Sequence, residues 1–119
     1  MPSNQKIDYV EFPASNFGAQ QVFYEKTFKW TFTDYGPDYL AFTDGKIDGG
    51  FYKSPLKSTT ESGSALVVLY TEALEQTKEK VLSCGAKLTK DIFSFPGGRR
   101  FQFSDPHGNE LAVWSDKTL

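Results

Sequence analysis

One order of predicted secondary structure, a strand followed by a helix and three strands, occurs twice along this chain. The two copies are offset by about 60 residues, and a polar segment rich in Ser, Thr and Lys separates them. Such a repeat predicts two equivalent modules rather than one continuous sheet. We place the modules at about residues 7–53 and 64–115, with a linker at 54–63, within a single domain spanning 1–119.

The strands are predicted from alternating or continuous apolar residues, and the helices from apolar residues that recur every three to four positions. In the first module the predicted strands are 7–12, 30–33, 39–43 and 47–52, with a helix behind the caps Ser15 and Asn16. In the second they are 65–70, 88–93, 99–104 and 110–114. Strand 65–70 is apolar throughout, which predicts burial on both faces. The second helix carries its inner stripe on Leu74, Val81 and Leu82 and ends at Gly85.

A module of one helix and four strands covers one face of its sheet and leaves the other face open. The predicted class is therefore α+β, with two βαβββ modules forming a cup-shaped, partly closed mixed sheet and helices on its convex side. The open faces meet within one chain or across a dimer. Eleven Phe residues give more ring surface than a core of this size needs, so we expect rings to line a cavity or an interface. A homodimer is accordingly predicted.

The composition disfavours some classes of binding partner. A net charge of −2, with Arg99-Arg100 as the only basic doublet, does not favour nucleic acid. The single cysteine, Cys84, cannot form an internal disulfide, which is typical of a reducing, cytoplasmic location. The first six residues lack the apolar core of a signal peptide, and no apolar run approaches the length of a membrane span. We expect a cytoplasmic protein without a membrane partner.

Two local motifs point to a known family. The first is DYVEFP at residues 8–13 followed by FYEK at 23–26, and the second is FQFSDPHGNEL at 101–111. Together with the order of elements they resemble the vicinal oxygen chelate superfamily, which includes glyoxalase I, bleomycin-resistance proteins and extradiol dioxygenases. The resemblance extends from Ile7 to Ser115. It implies the fold predicted above and a small-molecule ligand held against the concave sheet face.

The resemblance also implies where a metal would bind. Metal-dependent members take one ligand each from the first and fourth strands of both modules. In this chain those positions fall on Tyr9, Gly49, Ala112 and strand 65–70, which contains no His, Glu, Asp or Gln. Divalent ions of these enzymes favour imidazole and carboxylate ligands over a phenol. The residues therefore predict no metal and no cofactor, as in the bleomycin-resistance branch of the family.

Strand alternation predicts which side chains face the cup, because every second residue of a strand lies on the same face. Phe101, Phe103, Leu111 and Val113 are assigned to the helix side. The small residues Gly49 and Ala112 either leave room for a ligand or let the sheet bend. Arg100 either pairs with Glu110 or contacts the ligand. The predicted inward residues are Tyr9, Glu11, Tyr39, Ala41, Gly49, Phe51, Arg100, Gln102, Glu110, Ala112 and Trp114.

Several functions are compatible with such a cup. The first is metal-independent binding of a small molecule, with the ligand against Tyr39, Gly49, Phe51, Arg100, Gln102, Ala112 and Trp114. The second is a lyase or isomerase for a small carbonyl compound, with Glu11 or Glu110 as general base and Tyr9 as acid. The third is a metal-dependent glyoxalase or dioxygenase. The fourth is an interaction module whose cup is filled by its own side chains.

Overall fold

The computed structural model describes residues 2–118 and divides the chain into two compact units, the first ending at Leu56 and the second beginning at Lys57. Each unit contains a strand, a helix and three further strands, so the α+β class and the two βαβββ modules are confirmed. The elements of the first unit are β1 (Tyr9–Ala14), α1 (Phe17–Phe28), β2 (Thr31–Asp34), β3 (Tyr39–Thr43) and β4 (Asp48–Lys53). Those of the second are β5 (Val67–Tyr70), α2 (Leu74–Ser83), β6 (Lys87–Phe95), β7 (Gly98–Ser104) and β8 (Glu110–Ser115).

The first unit is a mixed four-stranded sheet in the order β1-β4-β3-β2, with β1 parallel to β4 and the other pairs antiparallel. Helix α1 begins at the predicted cap, where the Asn16 side chain accepts a hydrogen bond from the backbone N–H of Ala19. Strand β1 continues through Pro13 instead of ending before it. Proline is tolerated there because β1 is at the end of the strand order and bonds to one neighbour only.

Aromatic rings fill the core between α1 and its sheet. Trp30 is stacked between Tyr24, with ring centroids 4.3 Å apart, and Phe42, at 4.6 Å. Phe51 lies against both Tyr24 and Phe42, and its side chain is fully buried. Part of the aromatic excess expected to line a cavity is therefore used inside the first unit, where stacked and tilted rings pack at favourable distances.

The second unit repeats the arrangement in the order β5-β8-β7-β6, with β5 parallel to β8. Leu74 and Val81 of α2 are buried, as predicted, and Gly85 follows the helix with φ of +107°, in the left-handed region that favours glycine. Two burial predictions are wrong. Leu82 is 39% exposed, and strand β5 exposes Val68 and Tyr70 on one face. Strand β5 has a neighbour on one side only, so an apolar run here does not indicate burial on both faces.

The segment between the modules is more ordered than its composition indicates. Lys53 belongs to β4, and the backbone N–H of Ser54 donates to the carbonyl of Ala14 in the first unit. From Ser58 onward the segment is bonded within the second unit. The backbone N–H of Ser58 donates to Oδ1 of Asn109 at 2.9 Å, and the backbone N–H of Glu110 donates to the carbonyl of Ser58 at 2.8 Å. The later half of the predicted linker is thus exposed at residues 60–63 yet anchored by backbone hydrogen bonds at Ser58, which polar composition does not reveal.

Within residues 2–118 no helix is long and apolar enough to cross a membrane. The single domain, the cup between the modules and the homodimer stay predictions.

Candidate functional site

The strand register of the second unit fixes which side chains share a face, because residues directly opposite each other in a sheet point the same way. Phe101 pairs with Val113 and Phe103 pairs with Leu111, and all four are fully buried. The facing predicted for these residues is confirmed. The opposite, open face therefore carries the alternate pairs, which are Arg100 with Trp114, Gln102 with Ala112, and Ser104 with Glu110.

The facing predicted for Gly49 and Phe51 is wrong. Gly49 pairs with Phe42 and Phe51 pairs with Leu40, and the Phe51 ring lies 5.9 Å from that of Tyr24 in α1. Both residues therefore occupy helix-side positions of the first sheet, and the Phe51 side chain points away from its open face. The error comes from counting four residues from the turn glycine in both modules. The first paired residue of the following strand comes one position later after Gly45 than it does after Gly108.

Gly50 occupies the open-face position instead. It pairs with Ala41 in β3 and with Glu11 in β1, so these residues share the open face. A Cβ atom on Gly50 would collide with the ring and hydroxyl of Tyr39, which shows that the tyrosine lies across the glycine. Ala112 has the predicted facing, but it is fully buried, so it does not provide open space for a ligand.

Glu110 accepts four hydrogen bonds in the second unit, and its side chain is almost completely buried. Its Oε1 accepts from the backbone N–H and the hydroxyl of Thr60, at 2.9 and 2.7 Å. Its Oε2 accepts from the hydroxyl of Thr89 at 2.5 Å and from Nε2 of Gln102 at 3.0 Å. Thr89 lies at a register shift in β6, and such an irregularity changes the direction in which a side chain points.

These four donors decide the charge state of the carboxylate. Burial alone would raise the pKa of Glu110, but the hydrogen bonds from Thr89, Thr60 and Gln102 lower it to about 2. A carboxylate with so low a pKa is a weak base, and both of its oxygens are already occupied. The geometry thus fits Glu110 to hold strands and the preceding segment together rather than to accept a substrate proton.

Arg100 does not pair directly with Glu110. Its Nη2 donates to Oε1 of Gln102 at 3.1 Å, and Gln102 in turn donates to Glu110, so the amide connects the two charges. The guanidinium carbon lies 5.1 Å from the centroid of Phe93 and 6.0 Å from that of Phe95. Its Nε is buried and has no hydrogen-bond partner among residues 2–118. An unpartnered buried donor is unusual in a folded protein.

A pocket of about 310 Å³ lies beside this guanidinium. That volume falls at the lower end of the range for small-molecule sites. Strand alternation had identified Arg100 and Trp114 but missed the other wall residues. Val68 pairs with Ala112 and so belongs to the open face, a fact that the β5 sequence alone does not give. The lining residues are Val68, Phe95, Gly97, Arg100 and Trp114.

In the first unit, strand order brings Tyr9, Glu11 and Tyr39 together. The hydroxyls of Tyr9 and Tyr39 are 2.7 Å apart, and the Tyr39 hydroxyl donates to Oε2 of Glu11 at 2.8 Å. Because Tyr39 has one proton to donate, Tyr9 is the donor in the first of these bonds. Burial and the hydrogen bonds to Tyr9 and Glu11 raise the pKa of Tyr39 far above its ordinary value.

A second pocket, of about 300 Å³, lies beside this chain of hydroxyls. It is more polar than the pocket in the second unit. Its lining residues are Tyr9, Thr31, Thr33, Tyr35, Ala41, Phe42, Thr43, Asp48 and Gly49.

The sequence matches a family model described as the Glyoxalase/Bleomycin resistance protein/Dioxygenase superfamily over residues 6–113. The chain belongs to this superfamily. The resemblance read from the two motifs is thereby confirmed over nearly the same residues. No curated protein sequence is significantly similar to this glyoxalase-like chain.

Solved structures share the glyoxalase-like fold at low sequence identity. A glyoxalase-related enzyme from Fulvimarina pelagi is 15% identical with a TM-score of 0.77, over 93% of this chain and 88% of that one. Fosfomycin resistance protein FosX from Listeria monocytogenes is 13% identical with a TM-score of 0.78, over 100% and 97%. Lactoylglutathione lyase from Agrobacterium tumefaciens is 15% identical with a TM-score of 0.72, over 95% of each chain.

The residues of this glyoxalase-like chain do not fit the metal that its family implies. On the open faces, Tyr9, Gly50, Val68 and Ala112 offer one phenol and no imidazole or carboxylate. Within residues 2–118, no three His, Cys, Asp or Glu side chains cluster in a way that would hold an ion. Of the two glutamates on these faces, Glu110 accepts four hydrogen bonds, and Glu11 accepts one from Tyr39 through Oε2.

Proposed function

We propose that this chain is a metal-independent small-molecule binding protein of the glyoxalase/bleomycin-resistance type, with its ligand on the open face of the second unit. One observation carries the proposal, namely the pocket of about 310 Å³ in which aromatic and aliphatic side chains surround a guanidinium. Small-molecule sites combine apolar walls with a few polar groups that fix orientation. The lone Cys84 and the family support a cytoplasmic location.

The exposed apolar walls of the pocket support ligand binding rather than a face that is filled by the protein's own side chains. Val68 is 42% exposed and lies beside Trp114 and Phe95 at the pocket. An exposed aliphatic side chain next to two rings loses water contact when a planar ligand enters, at roughly 25 cal/mol for each Å² covered. The lack of suitable metal-ligating side chains on the open faces of the described residues supports metal independence. A ligand held by aromatic rings and a guanidinium needs no bridging ion.

Val68→Asp is expected to abolish binding of a planar neutral probe, 2-naphthamide, because a charged side chain would replace the apolar wall of the pocket. Protein NMR at millimolar probe monitors the indole N–H signal of Trp114, assigned as the signal lost in Trp114→Phe. In the unaltered protein this signal should shift, and the shift should persist in EDTA.

Val22→Asp is the matched control, since Val22 is 49% exposed on α1, outside the pocket, and its replacement should leave the shift intact. No shift in the unaltered protein would refute the proposed site. A shift that EDTA removes would refute metal independence.

A second candidate function is supported by the hydroxyl chain of the first unit. A lyase or isomerase needs a base beside a carbonyl substrate and a donor for its oxygen. Glu11 is exposed, and its Oε1 has no hydrogen-bond partner within the described part of the chain. Tyr9 is 44% exposed and lines the adjacent pocket. In this mechanism Glu11 removes the proton next to the carbonyl, and the Tyr9 hydroxyl turns its single proton from Tyr39 to the carbonyl oxygen.

Tyr39→Phe is expected to slow such proton removal about 100-fold, because it removes the hydroxyl that connects Tyr9 with Glu11. Deuterium exchange into hydroxyacetone in D₂O, followed by NMR, measures the step directly. Tyr52→Phe is the matched control, since Tyr52 pairs with Tyr39 across the same face. Exchange at the rate of buffer alone, or equal rates in both variants, would exclude this function.

A further inference from the structure

We propose that the ligand of the second unit carries an anionic group, which Arg100 binds while a planar apolar body lies against Phe95 and Trp114. This inference rests on the proposed function and adds the class of ligand.

Arg100 has N–H groups that make no hydrogen bond within the described residues. One of its five N–H groups donates to Gln102, and its buried Nε has no partner among residues 2–118. Within the described residues no carboxylate oxygen lies within 4.0 Å of this guanidinium, whereas the neighbouring Arg99 is paired with Glu75 of α2. A guanidinium with free donors is suited to a carboxylate or phosphate, which it can bind through two parallel hydrogen bonds.

The nearby acidic group cannot neutralise Arg100. All four hydrogen bonds to Glu110 come from Thr60, Thr89 and Gln102, and the amide of Gln102 separates the carboxylate from the guanidinium. This amide is held in one orientation, with its oxygen toward Arg100 and its nitrogen toward Glu110. Gln102 therefore satisfies Glu110 and presents Arg100 to the pocket, without cancelling the charge on either.

Other charged groups at this face favour an anion as well. The Lys90 ammonium lies 5.7 Å from the centroid of Phe93, the ring that also lies 5.1 Å from the Arg100 guanidinium. Two cations beside one ring repel a cationic ligand and attract an anionic one. The carboxylate of Asp116 lies toward Tyr70, whose hydroxyl donates to it at 2.6 Å, and it makes no ion pair with Arg100.

The aromatic walls determine the rest of the ligand. Trp114 pairs with Arg100 across β7 and β8, and the Phe95 ring lies 6.2 Å from the Trp114 ring. A planar group placed against the exposed sides of both rings would cover them while its anionic substituent reaches the guanidinium. The pocket thus fits an aryl or unsaturated carboxylate, or a phosphorylated compound of similar size, better than a neutral or cationic molecule.

The test compares two probes of equal shape, 2-naphthoate and 2-naphthamide, by isothermal titration calorimetry. The unaltered protein should bind the naphthoate about tenfold more tightly, the effect of one charge-assisted hydrogen-bonded pair. In Arg100→Gln the preference should fall to within about twofold. Arg100→Lys should retain part of it, because the charge remains while the two-pronged geometry is lost.

Arg99→Gln is the matched control, since the adjacent arginine pairs with Glu75 and should not affect the preference. Far-UV circular dichroism establishes that each variant is folded. If both probes bind the unaltered protein equally, the anionic inference fails and the proposed binding function stands. If neither probe binds, both fail. A preference that survives in Arg100→Gln assigns the charge recognition to another residue and overturns the inference.

Discussion

Replacing Glu110 with glutamine is expected to lower the free energy of unfolding at pH 7 by about 3 kcal/mol. The carboxylate accepts four hydrogen bonds from Thr60, Thr89 and Gln102 in a nearly inaccessible position. A glutamine side chain keeps the shape but places two N–H groups where acceptors are needed, so it leaves buried donors facing donors. Urea denaturation followed by circular dichroism measures the difference.

The effect has a defined pH dependence. The folded-state pKa of Glu110 is about 2, below its ordinary value of 4.5, so the anion is stabilised by folding. A group with a depressed folded pKa contributes its full stability above the unfolded pKa and loses it as the pH falls toward the folded pKa. The gap between unaltered protein and Glu110→Gln should therefore be constant above about pH 4.5 and should close toward pH 2.

Glu61→Gln provides the control for the loss of one negative charge, because Glu61 is exposed in the same segment that contributes Thr60. Its stability should stay within about 0.5 kcal/mol of the unaltered protein. A Glu110→Gln variant as stable as the Glu61→Gln variant would show that the network does not stabilise the fold, and Glu110 would return as a candidate base.

Gly49→Ala is expected to destabilise the protein by about 3 kcal/mol or more, whereas Gly50→Ala should cost about 1 kcal/mol. A Cβ on Gly49 would overlap the backbone oxygen of Val10 and the ring of Phe42, in a core that cannot move aside. A Cβ on Gly50 would overlap only the outer part of the Tyr39 side chain, which can rotate toward solvent. Thermal unfolding of both variants measures the difference.

The two variants also distinguish an effect on stability from an effect on the hydrogen bond between Tyr39 and Glu11. Gly50→Ala should displace Tyr39 from Glu11, and NMR of ring-labelled tyrosine would detect the change. Gly49→Ala, where it folds at all, should leave that bond in place. A tolerated Gly49→Ala together with an unfolded Gly50→Ala would invert the assigned faces of β4, and with them the composition of the first open face.

Local features were predictable because they depend on neighbours along the chain. The cap at Asn16 follows from a polar side chain before an amphipathic run, and the left-handed Gly85 follows from a helix that must end. The facing of Arg100, Gln102 and Trp114 was also correct, since alternation in a strand has a period of two.

Predictions failed where a turn or a distant segment decided the outcome. Counting from Gly45 put Gly49 and Phe51 on the wrong face, because turn geometry sets the register and a shift by one residue inverts every side chain. Thr60 is exposed, as its polar segment predicts, but its hydrogen bonds to Glu110 were not predicted. Its two bonds to Glu110 span 50 positions of the chain, and no local pattern signals them.

The sequence by itself determined the order of the elements and the family, since each depends on residue types and short spacings. Only the tertiary structure decided which charged side chain at the second open face has all of its hydrogen bonds made and which does not. Glu110 and Arg100 both lay on the predicted face, and both were candidates. Their difference arises from partners that only the fold supplies: both oxygens of Glu110 are filled by Thr60, Thr89 and Gln102, whereas Nε of Arg100 has no partner within the described residues.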